Sequence, residues 1–232
     1  TTLYAVLNEL SVKEKNVVTI EDPVEYTVPL TNQIQVNPKI GLTFAHALRA
    51  VLRQDPDVIM VGEIRDTETA QIAVHAALTG HLVLSTLHTN SAVGAVARLI
   101  DMGVEPYLLS SCLIGVVAQR LVRRVCPECK EPYQPPPEVL EDLKVGKGTI
   151  LWRGWGCPAC RRTGYPGRLA LQEVLFIDED LRSLIAARAP EHELLRAATA
   201  RGLQTLKEDG VDKAKQGLTT LEEVIAAVLW QE

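Results

Sequence analysis

Acidic, basic and imidazole side chains are concentrated in three loops, each of which follows a short apolar segment. They are Glu21, Asp22 and Glu25 in the first loop, Glu63, Arg65 and Asp66 in the second, and His88 in the third, with His81 just before the last apolar segment. If these segments are parallel strands, their carboxyl ends share one edge, and the side chains are expected to converge on one crevice. Taken singly, each residue is better explained as a solvated loop charge or a hydrogen-bonded histidine. Together they predict a site for a cation or a phosphate.

The second loop has the most informative context. The segment Asp57–Asp66 contains four consecutive apolar residues, Val58–Val61, followed by a glycine. This pattern predicts a strand buried on both faces that turns sharply into a polar loop. A carboxylate at Glu63 would then face a Mg²⁺ ion or polarise an attacking water, as a nucleoside triphosphatase requires. An ordinary buried strand followed by a charged turn is the alternative.

Two arginines precede this strand. Thr43 is expected to cap a helix that runs to about Gln54, and this helix would carry Arg49 and Arg53 four residues apart on one face. Arginines near the carboxyl edge of a sheet can neutralise charge that develops on a transferring phosphoryl group, within a subunit or across an interface. A solvated helix face is the alternative.

The cysteines give the most specific pattern. Cys126 and Cys129 form one Cys-x-x-Cys pair, Cys157 and Cys160 form a second, and 27 residues separate the pairs. Two such pairs supply four thiolates for a tetrahedral, structural Zn²⁺ site. Two disulfides or a redox pair are the alternatives. Cys112, in an apolar segment, is expected to be a buried structural thiol.

Charge is distributed unevenly along the 232 residues. The net charge is −5, but residues 120–168 carry ten Lys and Arg against five Asp and Glu. The acidic balance argues against bulk nucleic-acid binding, and the basic segment marks a separate module. No apolar run approaches the roughly 20 residues of a membrane span. A cytoplasmic location is therefore expected.

Short apolar segments alternate with helical ones up to residue 119, which predicts an α/β fold with a doubly wound parallel sheet. Proline, tryptophan and the cysteine pairs then break this pattern, and helical periodicity returns near the C-terminus. The predicted domains are an α/β core over residues 1–119, a tetracysteine domain over 120–168 and a helical domain over 169–232. Thr220 and Glu223 are predicted to form a capping box.

Three segments resemble the motifs of the GspE/PilB group, the ATPases that power type II secretion and type IV pilus assembly. Residues 19–25 resemble the Asp box, residues 57–66 the Walker B motif with its catalytic glutamate at Glu63, and residues 80–90 the His box with His81 and His88. Cys126, Cys129, Cys157 and Cys160 match the tetracysteine motif of the assembly and export branch. The resemblance covers the whole chain.

The resemblance implies a RecA-like P-loop NTPase core, ATP and Mg²⁺ as cofactors, and Zn²⁺ on the four cysteines. It also implies a cytoplasmic homo-hexamer, peripheral to the inner membrane, that acts on an inner-membrane platform protein. Glu63 would activate water or hold Mg²⁺ through water, Glu21 and Glu25 would order metal and water, and His81 and His88 would contact the γ-phosphate or a neighbouring subunit.

The family's Walker A loop would lie just before Leu3, with Thr1 or Thr2 as its last residue or the neighbour of that residue. The sequence contains no glycine-rich loop ending in Gly-Lys-Ser or Gly-Lys-Thr, because Gly146-Lys147-Gly148 lacks the hydroxyl residue. We therefore expect the chain to be part of a larger protein and to bind ATP weakly by itself. The alternative function is a zinc ribbon that binds nucleic acid or a partner through residues such as Arg161 and Trp155.

Overall fold

The computed structural model describes residues 1–10, 14–136, 138, 140, 145, 146 and 149–228. Parts of the proline run 135–137 and of the segment 146–148 lie outside this description. The chain forms two compact units. The first comprises residues 1–114 and 177–195, and the second comprises residues 115–176 and 196–232.

The first unit is built on a four-stranded parallel sheet. Its strands are β1 (Val17–Glu21), β2 (Asn32–Gln35), β3 (Val58–Val61) and β4 (Leu82–Ser85), in the order β2-β1-β3-β4. Every residue of β1 and β3 is buried, as a central strand with helices on both faces requires. The predicted parallel α/β sheet is confirmed.

Six α-helices lie wholly within the described part of the first unit. They are α1 (Thr2–Glu9), α2 (Phe44–Val51), α3 (Thr67–Leu78), α4 (Ala92–Asp101), α5 (Pro106–Cys112) and α6 (Glu179–Ala186). Four of them begin at a side chain that accepts a hydrogen bond from the first turn: Thr43, Asp66, Ser91 and Asp178. These caps were visible in the sequence because Ser, Thr and Asp satisfy the free N–H groups of a helix start.

Three local expectations differ from the structure. Helix α2 ends at Val51, so Arg53 lies in the turn that follows and does not share a helix face with Arg49. Strand β4 is half-buried because it is an outer strand of the sheet within the described residues. Cys112 is only partly buried, because it is the last residue of the short helix α5.

The second unit combines two antiparallel strand pairs with helices. Strand β5 (Gly115–Arg123) pairs along its full length with β8 (Arg168–Phe176), and β6 (Lys130–Tyr133) pairs with β7 (Leu151–Gly154). Helix α7 (Glu191–Ala200) leads into it, followed by α8 (Leu206–Lys215) and α9 (Leu221–Val228). The predicted boundary at 119/120 falls inside β5, and the one at 168/169 inside β8. Nine residue pairs join β5 to β8, so both strands belong to the second unit along their full length.

The predicted capping box at the start of α9 is only half formed. Thr220 Oγ1 accepts a hydrogen bond from the Glu223 N–H at 3.4 Å, but the Glu223 carboxylate binds Arg123 instead. A complete box occurs at the start of α8, between Thr205 and Glu208. Local sequence could not distinguish these cases, because the partner of Glu223 lies 100 residues away. Among the described residues, no helix has the length and apolar character to cross a membrane.

Arg123 and Glu223 join strand β5 to helix α9, and their pairing predicts a pH dependence. Arg123 Nη2 lies 2.5 Å from Glu223 Oε1, and this interaction lowers the pKa of Glu223. A lowered folded-state pKa contributes stability above the unfolded pKa of about 4.3, and this stability is lost as pH falls through the folded value. We expect Glu223→Gln to lower the free energy of unfolding by roughly 1 kcal/mol at pH 7.

The difference between Glu223→Gln and the unmutated protein should shrink as the pH falls below about 4. Urea unfolding at a series of pH values measures it. Glu138→Gln is the matched control, because Glu138 is exposed on the same unit and lies outside both cysteine pairs. A constant difference between pH 7 and pH 3 would contradict the ion-pair assignment.

Candidate functional site

Glu63, Arg65 and His88 meet at the carboxyl edge of the sheet. Glu63 Oε2 lies 2.5 Å from Arg65 Nε and 3.3 Å from His88 Nε2. The Glu63 side chain is 14% exposed, whereas the His88 side chain is 80% exposed. The carboxylate is therefore sheltered, and the partner groups that cover it face solvent. A ligand can displace them without opening the core.

The strand register brings the second and third loops together. The Ile64 N–H donates to Thr86 O at 3.0 Å, and Thr86 Oγ1 donates to Gly62 O at 2.7 Å. These bonds continue the β3–β4 pairing beyond the last strand residues. They hold Gly62, which precedes Glu63, next to Thr86, which lies two positions before His88. The predicted convergence of the second and third loops is thus present.

Gly62 brings the first loop against the second. Its N–H donates to Ile20 O at 2.8 Å, and a Cβ at this position would lie 3.2 Å from that oxygen and 3.5 Å from Glu21 Cα. The glycine after the apolar run therefore allows close approach of two backbones as well as a turn. Glu21 lies at the same edge of the sheet as Glu63.

The Glu21 carboxylate is bound internally. The residue is 4% exposed. Its oxygens accept hydrogen bonds from the Tyr4 hydroxyl, from Thr19 Oγ1 at 2.5 Å and from Gln33 Nε2 at 3.0 Å. Three neutral donors satisfy the carboxylate, so Glu21 orders its surroundings rather than presenting a free ligand atom. Asp22 and Glu25, by contrast, are exposed.

Sequence reasoning missed the partners of Glu21. Tyr4 lies in helix α1, Thr19 in β1 and Gln33 in β2, and only Thr19 lies within one of the motif segments. A tyrosine hydroxyl and a carboxylate both need hydrogen-bond partners when they are buried. This shared need is the signal that could have linked Tyr4 to Glu21.

Helix α1 begins near the same edge. Tyr4, in its first turn, reaches Glu21 at the carboxyl end of β1. Thr1 caps the helix without a side-chain hydrogen bond, and Thr1 and Thr2 are exposed. The place of Thr1 and Thr2 at a phosphate site stays a prediction.

Other predicted residues lie elsewhere. His81 Nδ1 lies 2.8 Å from Ala76 O and 3.1 Å from Thr79 Oγ1, at the amino end of β4. The expectation that His81 joins His88 in the crevice is wrong, because the length of the strand separates the two histidines. Arg49 forms an ion pair with Glu68, and Arg53 is exposed. Asp66 accepts hydrogen bonds from the N–H and hydroxyl of Thr69 and serves as the α3 cap.

The second unit brings the four predicted cysteines together. Their sulfur atoms all lie within 4.8 Å of one another. Cys126 and Cys157 sulfurs are 3.8 Å apart, and those of Cys129 and Cys160 are 3.9 Å apart. Four sulfurs at about 2.3 Å from a central Zn²⁺ are about 3.8 Å apart in a tetrahedron. The donor set and its spacing fit this metal, and the distances are too long for disulfides.

Backbone N–H groups surround the sulfur atoms. The N–H of Cys157 and that of Gly164 donate to Cys160 Sγ at 3.1 and 3.2 Å, and the N–H of Gly156 donates to Cys129 Sγ at 3.3 Å. The Cys157 and Gly164 donors lower the pKa of Cys160 to about 6, whereas loss of hydration raises the pKa of Cys129 to about 11. Donors of this kind stabilise thiolates and hold them in ligating positions.

Two glycines position the second cysteine pair. Gly164 also accepts a hydrogen bond from the Cys126 N–H at 2.8 Å, so it contacts both pairs. A Cβ on Gly154, in β7, would lie 2.2 Å from Gly164 O, and one on Gly164 would lie 2.3 Å from Gly154 O. The cysteine cluster therefore requires direct backbone contact between these two glycines.

Cations of the chain cover the aromatic rings of this unit. The Arg153 guanidinium lies 3.7 Å from the centre of the Trp155 ring, and Lys130 Nζ lies 4.7 Å from that of Trp152. One face of each tryptophan is thus occupied, which leaves less ring surface for base stacking.

The Tyr133 hydroxyl donates to Glu222 at 2.7 Å, and burial with this carboxylate raises the pKa of Tyr133.

A parallel α/β sheet with a sheltered glutamate at its carboxyl edge is an arrangement found in nucleoside triphosphatases, and this chain also carries a tetracysteine cluster. The family model for type II/IV secretion system protein matches residues 1–226. The chain belongs to this family.

Two curated relatives match almost all of this chain. It is 56% identical over 230 residues to the type II secretion system ATPase E of Vibrio cholerae, which covers 97% of this chain and 45% of the relative. It is 54% identical over 232 residues to the type IV pilus assembly ATPase PilB of Thermus thermophilus, which covers 98% of this chain and 26% of the relative. The chain thus spans less than half the length of either relative.

Solved structures agree with this assignment. The pilus retraction motor PilT with bound ADP superposes with a TM-score of 0.66 at 32% identity, over 91% of this chain and 52% of that one. The Legionella pneumophila ATPase DotB superposes with a TM-score of 0.68 at 25% identity, over 97% of this chain and 55% of that one. The RecA-like fold class follows from this likeness together with the parallel sheet.

The addition of one methyl group at Gly154 tests its backbone contact with Gly164. Gly154→Ala should lower the free energy of unfolding of this unit by roughly 1–3 kcal/mol, because the added carbon meets backbone that cannot yield without moving a cysteine pair. Urea unfolding followed by the fluorescence of Trp152 and Trp155 reports on the same unit. Gly146→Ala is the control, since among the described residues its Cβ would meet only Thr149 Oγ1, at 3.9 Å. Equal midpoints for the two variants would contradict the contact.

Proposed function

We propose that this chain provides the Walker B, Asp-box and His-box side of an ATP-hydrolysing motor subunit for type II secretion or type IV pilus assembly. The observation that carries the proposal is the sheltered Glu63 carboxylate, bound by Arg65 and His88 at the carboxyl edge of the sheet. The names of the relatives support the same activity. They give no support to the alternative of a nucleic-acid-binding ribbon.

The residues at this edge would each have a separate role in ATP hydrolysis. Bound ATP and Mg²⁺ would supply the phosphoryl group and the cation that neutralises it. Glu63 would orient or polarise water, with Arg65 and His88 holding its carboxylate until a ligand takes their place. The start of α1 at Thr1 and Thr2 would receive phosphate oxygens, and the exposed Asp22 and Glu25 would complete the acidic side. Arg49 and Arg53, exposed beside the sheet, are candidates for contact with a neighbouring subunit.

The assembly implied by the resemblance belongs to the same proposal. The subunit would act in a cytoplasmic homo-hexamer, peripheral to the inner membrane, on a platform protein within that membrane. The tetracysteine unit would hold one Zn²⁺ through Cys126, Cys129, Cys157 and Cys160. All four positions would be filled, so this metal would be structural and would take no part in hydrolysis.

Glu63→Gln tests the catalytic role in the full-length protein. The substitution keeps the size of the side chain but removes its charge and basicity. We expect nucleotide binding to be retained and ATP turnover to fall by about 100-fold or more. Phosphate release and titration with a fluorescent nucleotide measure the two quantities.

Glu105→Gln is the control for this substitution. Glu105 is exposed, and within the part of the chain that the structure describes its ion pair is with Arg188, at 3.5 Å, rather than with Arg65 or His88. Its turnover should match that of the unmutated protein. Near-normal turnover in Glu63→Gln would remove Glu63 from the catalytic role.

Cys157→Ser tests the zinc assignment. Loss of one thiolate should release about one zinc per chain, because three remaining ligands bind the ion less tightly. Elemental analysis of the purified protein and a colorimetric chelator assay measure the metal. Cys112→Ser, which removes a thiol outside the cluster, should retain full metal content. Absence of zinc from the unmutated protein would refute the assignment.

A further inference from the structure

Tyr4 is a buried side chain that forms hydrogen bonds with both ends of the acidic first loop. Its hydroxyl donates a hydrogen bond to Glu21 Oε2, at the end of β1, and accepts one from the Glu25 N–H at 3.2 Å. Tyr4 is only 4% exposed, so water cannot replace either bond without opening the core. Burial, reinforced by the Glu21 carboxylate, raises the pKa of Tyr4. The phenol thus stays protonated as a donor at neutral pH.

Gln33 supplies a second connection to the same loop. Its side-chain nitrogen donates to Glu21 Oε1 at 3.0 Å and to Tyr26 O at 3.2 Å. Its side-chain oxygen accepts from the Val28 N–H at 2.7 Å. The loop is therefore bound from β2 by Gln33 and from helix α1 by Tyr4, with the buried Glu21 carboxylate common to both.

The position of Tyr4 on α1 gives these bonds a functional consequence. Tyr4 lies in the first turn of α1, the helix whose residues Thr1 and Thr2 receive phosphate oxygens in the proposed function. The same side chain fixes the loop that carries Asp22 and Glu25. The start of α1 and the acidic loop are thus joined through the Tyr4 hydroxyl group.

We infer that Tyr4 is a positioning residue, whose hydroxyl holds the acidic loop from Glu21 to Glu25 in register with the start of α1 for ATP hydrolysis. This inference rests on the proposed function for its catalytic consequence. Tyr4 touches neither nucleotide nor water in this role. It acts through Glu21 and the Glu25 backbone.

Tyr4→Phe removes the hydroxyl and keeps the ring. The ring stacks on Tyr26 with centroids 4.1 Å apart, and Thr19 and Gln33 still donate to Glu21. The fold should therefore survive. In the full-length protein we expect the Glu25 amide to exchange with solvent about tenfold faster without nucleotide. We expect kcat for ATP to fall about tenfold, with the dissociation constant for nucleotide changed less than about twofold.

Tyr26→Phe is the matched control. It removes the same atom from the neighbouring stacked ring, which is 48% exposed. Both its Glu25 exchange rate and its kcat should equal those of the unmutated protein. In a double variant, Tyr4→Phe with Glu21→Gln, the combined loss of turnover should be smaller than the two single losses added together, because both changes weaken the Tyr4–Glu21 hydrogen bond.

The outcomes separate this inference from the function on which it rests. Unchanged exchange of the Glu25 amide in Tyr4→Phe, or unchanged kcat, would overturn the positioning role. So would an equal loss in Tyr26→Phe, or a kcat loss that only follows a loss of folded protein. If the unmutated full-length protein hydrolysed no ATP, the proposed function and this catalytic role would both fail. The exchange measurement would still show whether Tyr4 holds the loop.

Discussion

The parallel register of β1, β3 and β4 is the constraint on which the candidate site depends. Ile20 pairs with Val61, and Val61 pairs with Ser85, so the residues after these strands are forced to neighbouring positions. Gly62 makes the approach close enough for backbone hydrogen bonding beyond the last strand residues. Charges that are far apart in sequence are thereby brought to one edge of the sheet by backbone pairing.

The two acidic groups at this edge are stabilised in different ways. Glu21 is buried, and neutral donors from Tyr4, Thr19 and Gln33 satisfy it. Glu63 is held by two cationic or ionisable groups that are largely exposed, Arg65 and His88. Buried neutral hydrogen bonds are costly to exchange, whereas exposed ion pairs contribute little and are easily replaced. The first carboxylate is therefore suited to holding structure and the second to meeting a ligand.

The tetracysteine unit follows a comparable principle, in which backbone contacts position reactive side chains. Contact between Gly154 and Gly164 places the second cysteine pair, and N–H groups of the same turns donate to sulfur. Side-chain bonds then connect this cluster's strands to the helices of the unit, through Tyr133 to Glu222 and through Lys130 to Gln216. The clustering of the cysteines and the support of their strands by helices α8 and α9 are thus parts of one arrangement.

The sequence by itself determined the parallel strands, the helix caps, the family motifs and the two Cys-x-x-Cys pairs. Each of these features depends on residue type and on spacing along a short segment. Only the tertiary structure decided which side chains meet. It placed His81 at the opposite end of β4 from His88, enclosed Glu21 with Tyr4, ended α2 before Arg53 and diverted Glu223 from its cap to Arg123. These outcomes depend on strand length, burial and partners distant in sequence. Local patterns do not contain that information, since a hydrogen bond forms with whichever satisfactory partner the fold brings near.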